Sequence, residues 1–113
     1  MKTQWIPANE AEPIVEAEET GSFYFDAWGR ERVHEYLGGN FEFVQVCDDG
    51  GKPMYMLVNE IGSLLYLPIN PRATDIYHNA VVKKQCEKQG VLYIPSNYAQ
   101  IHGPAILCME RMT

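Results

Sequence analysis

Hydrophobic and polar positions alternate most regularly in the middle of the chain. Residues 40–47 show partial alternation and are rich in residues that favour strands. A tight turn is expected at residues 48–51, because Asp-Gly and Gly-Gly steps supply the positive φ angles of a hairpin. Strands are expected again at residues 54–58 and 64–67, with a second turn between them. The pattern therefore predicts a three-stranded antiparallel meander over residues 40–67.

A helical pattern precedes the meander and another follows it. The apolar face of the first helix, within residues 25–37, is expected to consist of Phe25, Trp28, Val33, Tyr36 and Leu37. Gly38 is typical of the residue that closes such a helix. Asn70 and Pro71 form a cap-and-start pair for a second helix, from residue 71 to about residue 78. The pattern of residues 81–97 fits either a continued helix or an inserted loop, and a strand is expected at residues 91–94.

These elements, together with short strands near residues 3–6, 13–17 and 104–109, predict an α+β fold. The expected architecture is a mostly antiparallel sheet with one or two helices packed on one face. The chain has 113 residues, and two halves of that length would each lie near the lower limit for independent folding. We therefore expect a single domain over residues 1–113.

Charge is unevenly distributed along the chain. The formal net charge is −6. Residues 1–60 hold 12 acidic and 4 basic side chains, whereas residues 61–113 hold 3 acidic and 5 basic ones. This acidic balance argues against a nucleic-acid or anionic-lipid partner, and no apolar run is long enough to span a bilayer. The acidic segment and the loop aromatics after it predict a partner-binding surface formed by Glu16, Glu18, Glu19, Phe23 and Tyr24. The simpler interpretations stay open: a solvated acidic face, and aromatics that cover the thin core of a small domain.

The three cysteines predict a reduced, cytoplasmic protein. Cys47, Cys86 and Cys108 are odd in number and far apart, without the short spacing of a metal site. We expect no metal and no cofactor. One alternative remains open, because a fold can bring together distant ligands such as Cys86, Cys108, His78 and His102.

The start of the second helix predicts a small-molecule site. Free N–H groups at a helix start attract anions, and Arg72 and Thr74 lie beside the cap Asn70. The simpler interpretation is that Asn70 only caps the helix and Arg72 faces solvent. His102 precedes Gly-Pro in a turn, where it could line a pocket. The full set of predicted ligand-binding residues is Asn70, Arg72, Thr74, Tyr77, Tyr98 and His102.

Three segments carry a resemblance to a known family. Residues 57–62 (Leu-Val-Asn-Glu-Ile-Gly), 67–77 (Leu-Pro-Ile-Asn-Pro-Arg-Ala-Thr-Asp-Ile-Tyr) and 101–107 (Ile-His-Gly-Pro-Ala-Ile-Leu) resemble domain-of-unknown-function family 3846. Its members are small proteins encoded by phages and plasmids. The resemblance runs from about Val33 onward and is interrupted at residues 81–97. It implies an accessory protein of a mobile element acting inside a bacterial cell, and it supplies no reaction or catalytic residue.

The sequence favours binding over catalysis. It contains no phosphate-binding glycine loop and no recognisable Ser-His-Asp set. We therefore expect a non-enzymatic accessory binding protein that acts on a host protein, such as a defence or regulatory factor. The alternative is an oligomeric binder that sequesters a nucleotide-like signalling molecule. An exposed edge strand would also allow a homodimer.

Overall fold

The computed structural model describes residues 1–20, 23–48 and 50–109. The strands are β1 (Lys2–Ile6), β2 (Val15–Glu18), β3 (Phe41–Cys47), β4 (Pro53–Asn59) and β5 (Ala105–Cys108). The helices are α1 (Ala27–Leu37), α2 (Pro71–Tyr77) and α3 (Lys83–Gln89), and a π-helical stretch, His78–Val82, joins α2 to α3. A short 3₁₀ turn spans Pro95–Asn97. None of the described helices is both long and apolar enough to cross a bilayer.

The strands form one antiparallel sheet in the order β2-β1-β5-β4-β3. This arrangement confirms the predicted α+β class and antiparallel sheet. It also confirms the hairpin of β3 and β4, which pair along their whole length from Phe41↔Asn59 to Cys47↔Pro53. β5 occupies the centre of the sheet, where every one of its four residues is buried.

The predicted third strand of the meander, residues 64–67, is wrong. These residues lie in a series of turns, in which the Leu65 amide donates to the Ile61 carbonyl and the Leu67 amide to the Gly62 carbonyl. The free side of β4 is instead taken by β5, with Leu57 opposite Ile106. The predicted strand at residues 91–94 is also wrong, because no strand forms there.

The two helical segments lie on opposite faces of the sheet, whereas the sequence placed them on one face. One core packs α1 residues Val33 and Leu37 against Leu57 and Ile106. The other packs Ala73 of α2 against alternate strand positions: Ile6, Met54, Met56, Val58, Ala105 and Leu107. Because β4 and β5 are apolar on both faces, each face needs its own cover.

Residues 81–90 continue the helix, which settles the question that the sequence left open. The helix ends at Gly90, whose φ of 67° is left-handed, and the Val91 amide donates back to the Cys86 carbonyl. Residues 91–97 then form a loop with the short 3₁₀ turn. The segment 81–97 is thus half helix and half loop.

The apolar face predicted for α1 is correct only in part. Val33 and Leu37 are fully buried, but Phe25 precedes the helix and is 72% exposed, and Trp28 is 74% exposed. Gly29 takes the buried position instead. A side chain there would collide with the carbonyl of Phe23, so the glycine allows the helix to lie close to the preceding turn.

Asn70 joins the second helix to the sheet. Its side-chain oxygen accepts from the Ala73 amide at 3.0 Å and caps α2. Its Nδ2 donates to the carbonyls of Ile6 and Gly103, both at 3.0 Å. The side chain is completely buried, so no water can replace these bonds.

Replacing Asn70 should therefore destabilise the whole domain. We expect Asn70→Ala to lower the free energy of unfolding by about 2–4 kcal/mol, because a helix cap is lost and two buried carbonyls lose their donor. Urea denaturation followed by circular dichroism measures the change. The control is Asn97→Ala, at an exposed position, for which we expect a change within about 0.5 kcal/mol. A cost below about 1 kcal/mol at Asn70 would contradict this role.

Cys108 should be chemically inert in the folded protein. Burial raises the pKa of its thiol to about 12, so almost none of it is the reactive thiolate at pH 8. We expect a thiol reagent to label half-buried Cys47 in the native state and Cys108 only after unfolding, as mapped by peptide mass spectrometry. Equal labelling rates at the two cysteines would contradict the burial of Cys108.

Candidate functional site: an apolar loop beside an acidic cavity

An exposed apolar loop follows β4. This apolar loop, residues 61–69, has the sequence Ile-Gly-Ser-Leu-Leu-Tyr-Leu-Pro-Ile and carries no charge. Five of its large side chains are exposed: Ile61 (43%), Leu64 (74%), Leu65 (48%), Tyr66 (93%) and Ile69 (44%). Single exposed apolar residues are ordinary, but a contiguous exposed group on a small domain is typical of an interaction site.

Hydrogen bonds hold the apolar loop in one conformation. Asn59 starts it, because its Oδ1 accepts from the Ile61 amide at 2.9 Å while its Nδ2 donates to the Leu37 carbonyl. The Pro68 carbonyl accepts from the Gly103 amide at 2.7 Å. The Leu67 carbonyl accepts from Nδ1 of His102 at 2.9 Å. The loop is thus fixed at its start to β4 and at its end to residues 102–103.

Close packing against residues 102–103 requires two glycines. A Cβ on Gly62 would lie 2.6 Å from the carbonyl oxygen of His102. A Cβ on Gly103 would lie 2.8 Å from Leu67, and Gly103 has a left-handed φ of 87°. Tyr66 also has a left-handed φ, 54°, which is uncommon for a bulky residue and is often found where structure serves function.

A cavity of about 260 Å³ lies beside the apolar loop, and Gly62 and Ser63 form part of its wall. The ionisable side chains that line it are Glu42, Glu60, Tyr77 and His102, and its walls include no lysine or arginine. Because Nδ1 of His102 donates to Leu67, a neutral His102 has its lone pair on Nε2. The lining is therefore acidic and rich in acceptors, which suits a positively charged group.

Three of the six predicted ligand-binding residues have structural roles. Asn70 is the buried cap described above. Arg72 donates from Nη2 to the carbonyls of Pro7 and Asn9, at 2.9 and 3.1 Å, and so clamps the loop after β1. The hydroxyl of Thr74 accepts from the Ile101 amide at 3.0 Å. The simpler interpretation of the helix start is therefore correct for Asn70, which is a structural cap. It is wrong for Arg72, which binds backbone carbonyls instead of facing solvent.

The remaining three predicted residues divide between two places. Tyr77 and His102 line the same cavity. Tyr98 stacks on Tyr93 with ring centroids 6.0 Å apart, and its hydroxyl lies 2.9 Å from the Cys86 sulfur. That hydrogen bond and burial raise the pKa of Tyr98. Arg72 and His102 do not share the cavity, so the predicted phosphate site is not assembled.

The predicted partner surface is only partly exposed. Glu16 and Glu18 lie on the exposed strand β2. Glu19 is held by Arg32 through two hydrogen bonds, at 2.9 and 3.2 Å. The prediction of exposed loop aromatics is wrong: Phe23 is 2% and Tyr24 6% exposed, because both pack in the core beneath α1.

Sequence reasoning missed Leu64, Leu65 and Tyr66 as surface residues, because it assigned residues 64–67 to a strand. A usable signal was present, since eleven consecutive residues from Ile61 to Pro71 carry no charge. Such a run beside a Gly-Ser step is as consistent with an exposed apolar loop as with a strand.

The four residues considered for a metal site are not brought together. His78 is buried and bonds to the Tyr93 hydroxyl at 2.6 Å and the Ala99 carbonyl at 2.7 Å. His102 bonds to the apolar loop and Cys108 lies in the core beneath α1. Across the described ranges, no group of three or more His, Cys, Asp or Glu side chains is arranged to hold a metal ion.

No protein-family model, curated protein or solved structure matches the chain. The resemblance to domain-of-unknown-function family 3846 therefore stays a prediction. Residues 57–62, 67–77 and 101–107 lie next to one another in the fold. They form the end of β4 with the start of the apolar loop, the end of that loop with α2, and the segment that anchors the loop with the first residues of β5.

The anchoring of the apolar loop can be tested at Gly62. We expect Gly62→Ala to push the loop away from His102 and to lower the free energy of unfolding by about 1–3 kcal/mol. Limited proteolysis should also cut within residues 61–69 faster than in the wild type. Ser63→Ala, at the next position of the same loop, is the control and should change neither measurement. Unchanged proteolysis of Gly62→Ala would show that the close approach is not needed.

Proposed function

We propose that this protein is a non-enzymatic binding protein that engages a protein partner through the apolar loop. The observation that supports this most is the exposure of five large apolar side chains on a loop fixed by hydrogen bonds. Fully burying an exposed leucine of this kind is worth about 1.5–3 kcal/mol before the entropic cost of association is subtracted. A loop that is already ordered loses little entropy on binding, so more of this energy appears as affinity.

The acidic cavity suggests what else the partner presents. Glu42 and Glu60 line the cavity, and the ion pairs of the described residues include neither of them. A lysine or arginine of the partner entering beside the apolar contact would pair with these carboxylates. The partner surface that fits is therefore apolar with an adjacent basic side chain.

The resemblance supplies the setting for this proposal. A small accessory protein of a phage or plasmid would meet its partner inside the bacterial cell, and a host defence or regulatory protein is the partner class that follows. The acidic strand β2 provides a second, purely electrostatic contact surface, because Glu16 and Glu18 are both exposed.

The alternative, a binder of a nucleotide-like molecule, has less support. A phosphate needs cations or free backbone N–H groups. The cavity that contains Tyr77 and His102 is lined by two carboxylates instead, and Arg72 is bound to backbone carbonyls. Stabilisation by a nucleotide in a thermal-shift screen, about 2.7 kcal/mol at 100 times its dissociation constant, would nevertheless favour this alternative.

Two matched substitutions test the apolar loop. Leu64 and Leu92 are 74% and 80% exposed, and they lie in different loops. We expect Leu64→Asp to reduce capture of partner proteins from a bacterial lysate at least about tenfold, because a charge would be buried in the contact. Leu92→Asp should leave capture unchanged. Quantitative mass spectrometry of the captured proteins measures both.

The outcome of this comparison is decisive for the proposal. Neither leucine belongs to the buried core, so both variants should unfold at the wild-type urea concentration. Capture that is lost equally in both variants, or that survives Leu64→Asp, would contradict a binding role for the apolar loop.

A further inference from the structure

The two edges of the sheet differ in their capacity to pair. β2 is an edge of four residues, and Glu16 and Glu18 place two charges on it. β3 is an edge of seven residues, and Glu42 is its single charged residue. Short, charged edges resist pairing with another chain, whereas long edges with little charge favour it. β3 is therefore the edge that is open to another strand.

The backbone groups that face outward on β3 follow from its pairing with β4. The Asn40 carbonyl accepts from the Glu60 amide at 3.1 Å, and the Asp48 amide donates to the Lys52 carbonyl at 3.0 Å. Because hydrogen-bonded positions alternate in an antiparallel pair, the even residues of β3 bond to β4. The N–H and C=O groups of the odd residues, from Phe41 to Cys47, point away from the sheet, and no described strand pairs with them.

Aromatic side chains line the same edge. Phe43 is 44% exposed, and its ring contacts Phe41 edge to face at a centroid distance of 5.6 Å. Tyr24 lies 5.3 Å from Phe43 and 4.4 Å from Phe25. Phe25, the most exposed of these rings, extends the group away from the strand. A chain that paired with β3 would therefore also cover apolar surface.

We propose that β3 pairs antiparallel with β3 of a second copy, so that two sheets join into one of ten strands. With the two-fold axis at Val44, the odd residues meet as hydrogen-bonded pairs: Phe43 with Gln45 of the second copy, and Phe41 with its Cys47. Each such pair exchanges both backbone hydrogen bonds. This register uses all seven residues of the strand.

The charges around β3 are complementary to those of a second copy. Lys84 places its ammonium 2.9 Å from the sulfur of Cys47, at the end of the strand opposite to Glu42. The two-fold pairing sets Glu42 opposite Val46 of the second copy, one residue from the Cys47 that contacts that copy's Lys84. Two Glu42–Lys84 pairs form across the axis, and the two Glu42 carboxylates stay apart. An unrelated peptide has no reason to match this pattern, which is why the occupant is a second copy.

The dimer makes the binding protein bivalent. An axis perpendicular to the joined sheet keeps corresponding faces on the same side. The acidic cavities lie on the α2 face, since Val44 and Val58 line them. Both cavities, and the apolar loops beside them, would therefore be presented in the same direction. Because Glu42 is paired with Lys84 of the second copy, Glu60 is the carboxylate that each cavity keeps for the partner's basic side chain. A partner with two sites would be held more tightly than by either site alone.

Proline substitutions on the two edges provide the first test. Gln45→Pro removes an outward N–H of β3 without removing a bond to β4, and Glu16→Pro does the same on β2, whose odd residues bond to β1. We expect sedimentation equilibrium to give twice the chain mass of 12.9 kDa for the wild type and Glu16→Pro. Gln45→Pro should sediment as a monomer with unchanged circular dichroism.

Charge exchange provides the second test, and it does not depend on a proline. Lys84→Glu should weaken the dimer about tenfold, because each Glu42 would then face a like charge. The double variant Glu42→Lys with Lys84→Glu should restore wild-type association. A monomeric wild type would overturn the proposal. A Gln45→Pro dimer would also overturn it, as would a double variant no tighter than Lys84→Glu alone.

Discussion

The carboxamide of Asn70 is the contact on which the other parts of the structure depend. It ends one strand by binding the Ile6 carbonyl, fixes the turn before β5 through the Gly103 carbonyl, and starts α2 by capping the Ala73 amide. These three segments are far apart in sequence, and the side chain that joins them is completely buried. Because a buried amide must satisfy both its donor and its acceptor, their relative positions follow from one residue.

The position of β5 has an equally broad consequence. Because β5 lies between β1 and β4, the centre of the sheet is apolar on both faces, with Ile106 toward α1 and Leu107 toward α2. Residues 61–69 cannot join the sheet beside β4, because β3 and β5 already pair with its two sides. The exposure of the apolar loop is therefore a consequence of the strand order. Its residues are apolar enough for a strand, but β4 has no free edge with which they could pair.

Local signals predicted the local structure correctly. The turn at Gly50 and Gly51, the Asn70–Pro71 helix start and the closing Gly38 all depend on neighbouring residues, and each was readable from the sequence. The strand wrongly predicted at 64–67 and the helices wrongly predicted on one face depend on distant parts of the chain. Both follow from the pairing of β4 with β5, which the local sequence does not specify. The candidate site was predictable only at Tyr77 and His102. Phe23 and Tyr24 illustrate why exposure was hard to predict. They are buried because α1 packs over them, and the residues beside them in the sequence do not reveal this contact.

The charge of the chain shows the same limit. Residues 61–113 are slightly basic, and the sequence predicted an anion site in them at the start of α2, beside Arg72. The fold brings Glu42 and Glu60, both from the acidic half, to the cavity that His102 and Tyr77 line. Arg72 binds no anion in this fold, because its guanidinium donates to the carbonyls of Pro7 and Asn9. Because electrostatic recognition depends on distance in space, two carboxylates from β3 and the end of β4 reverse the sign of a surface whose own segment is basic. The proposed partner, apolar with an adjacent basic side chain, follows from this reversal of charge beside the apolar loop.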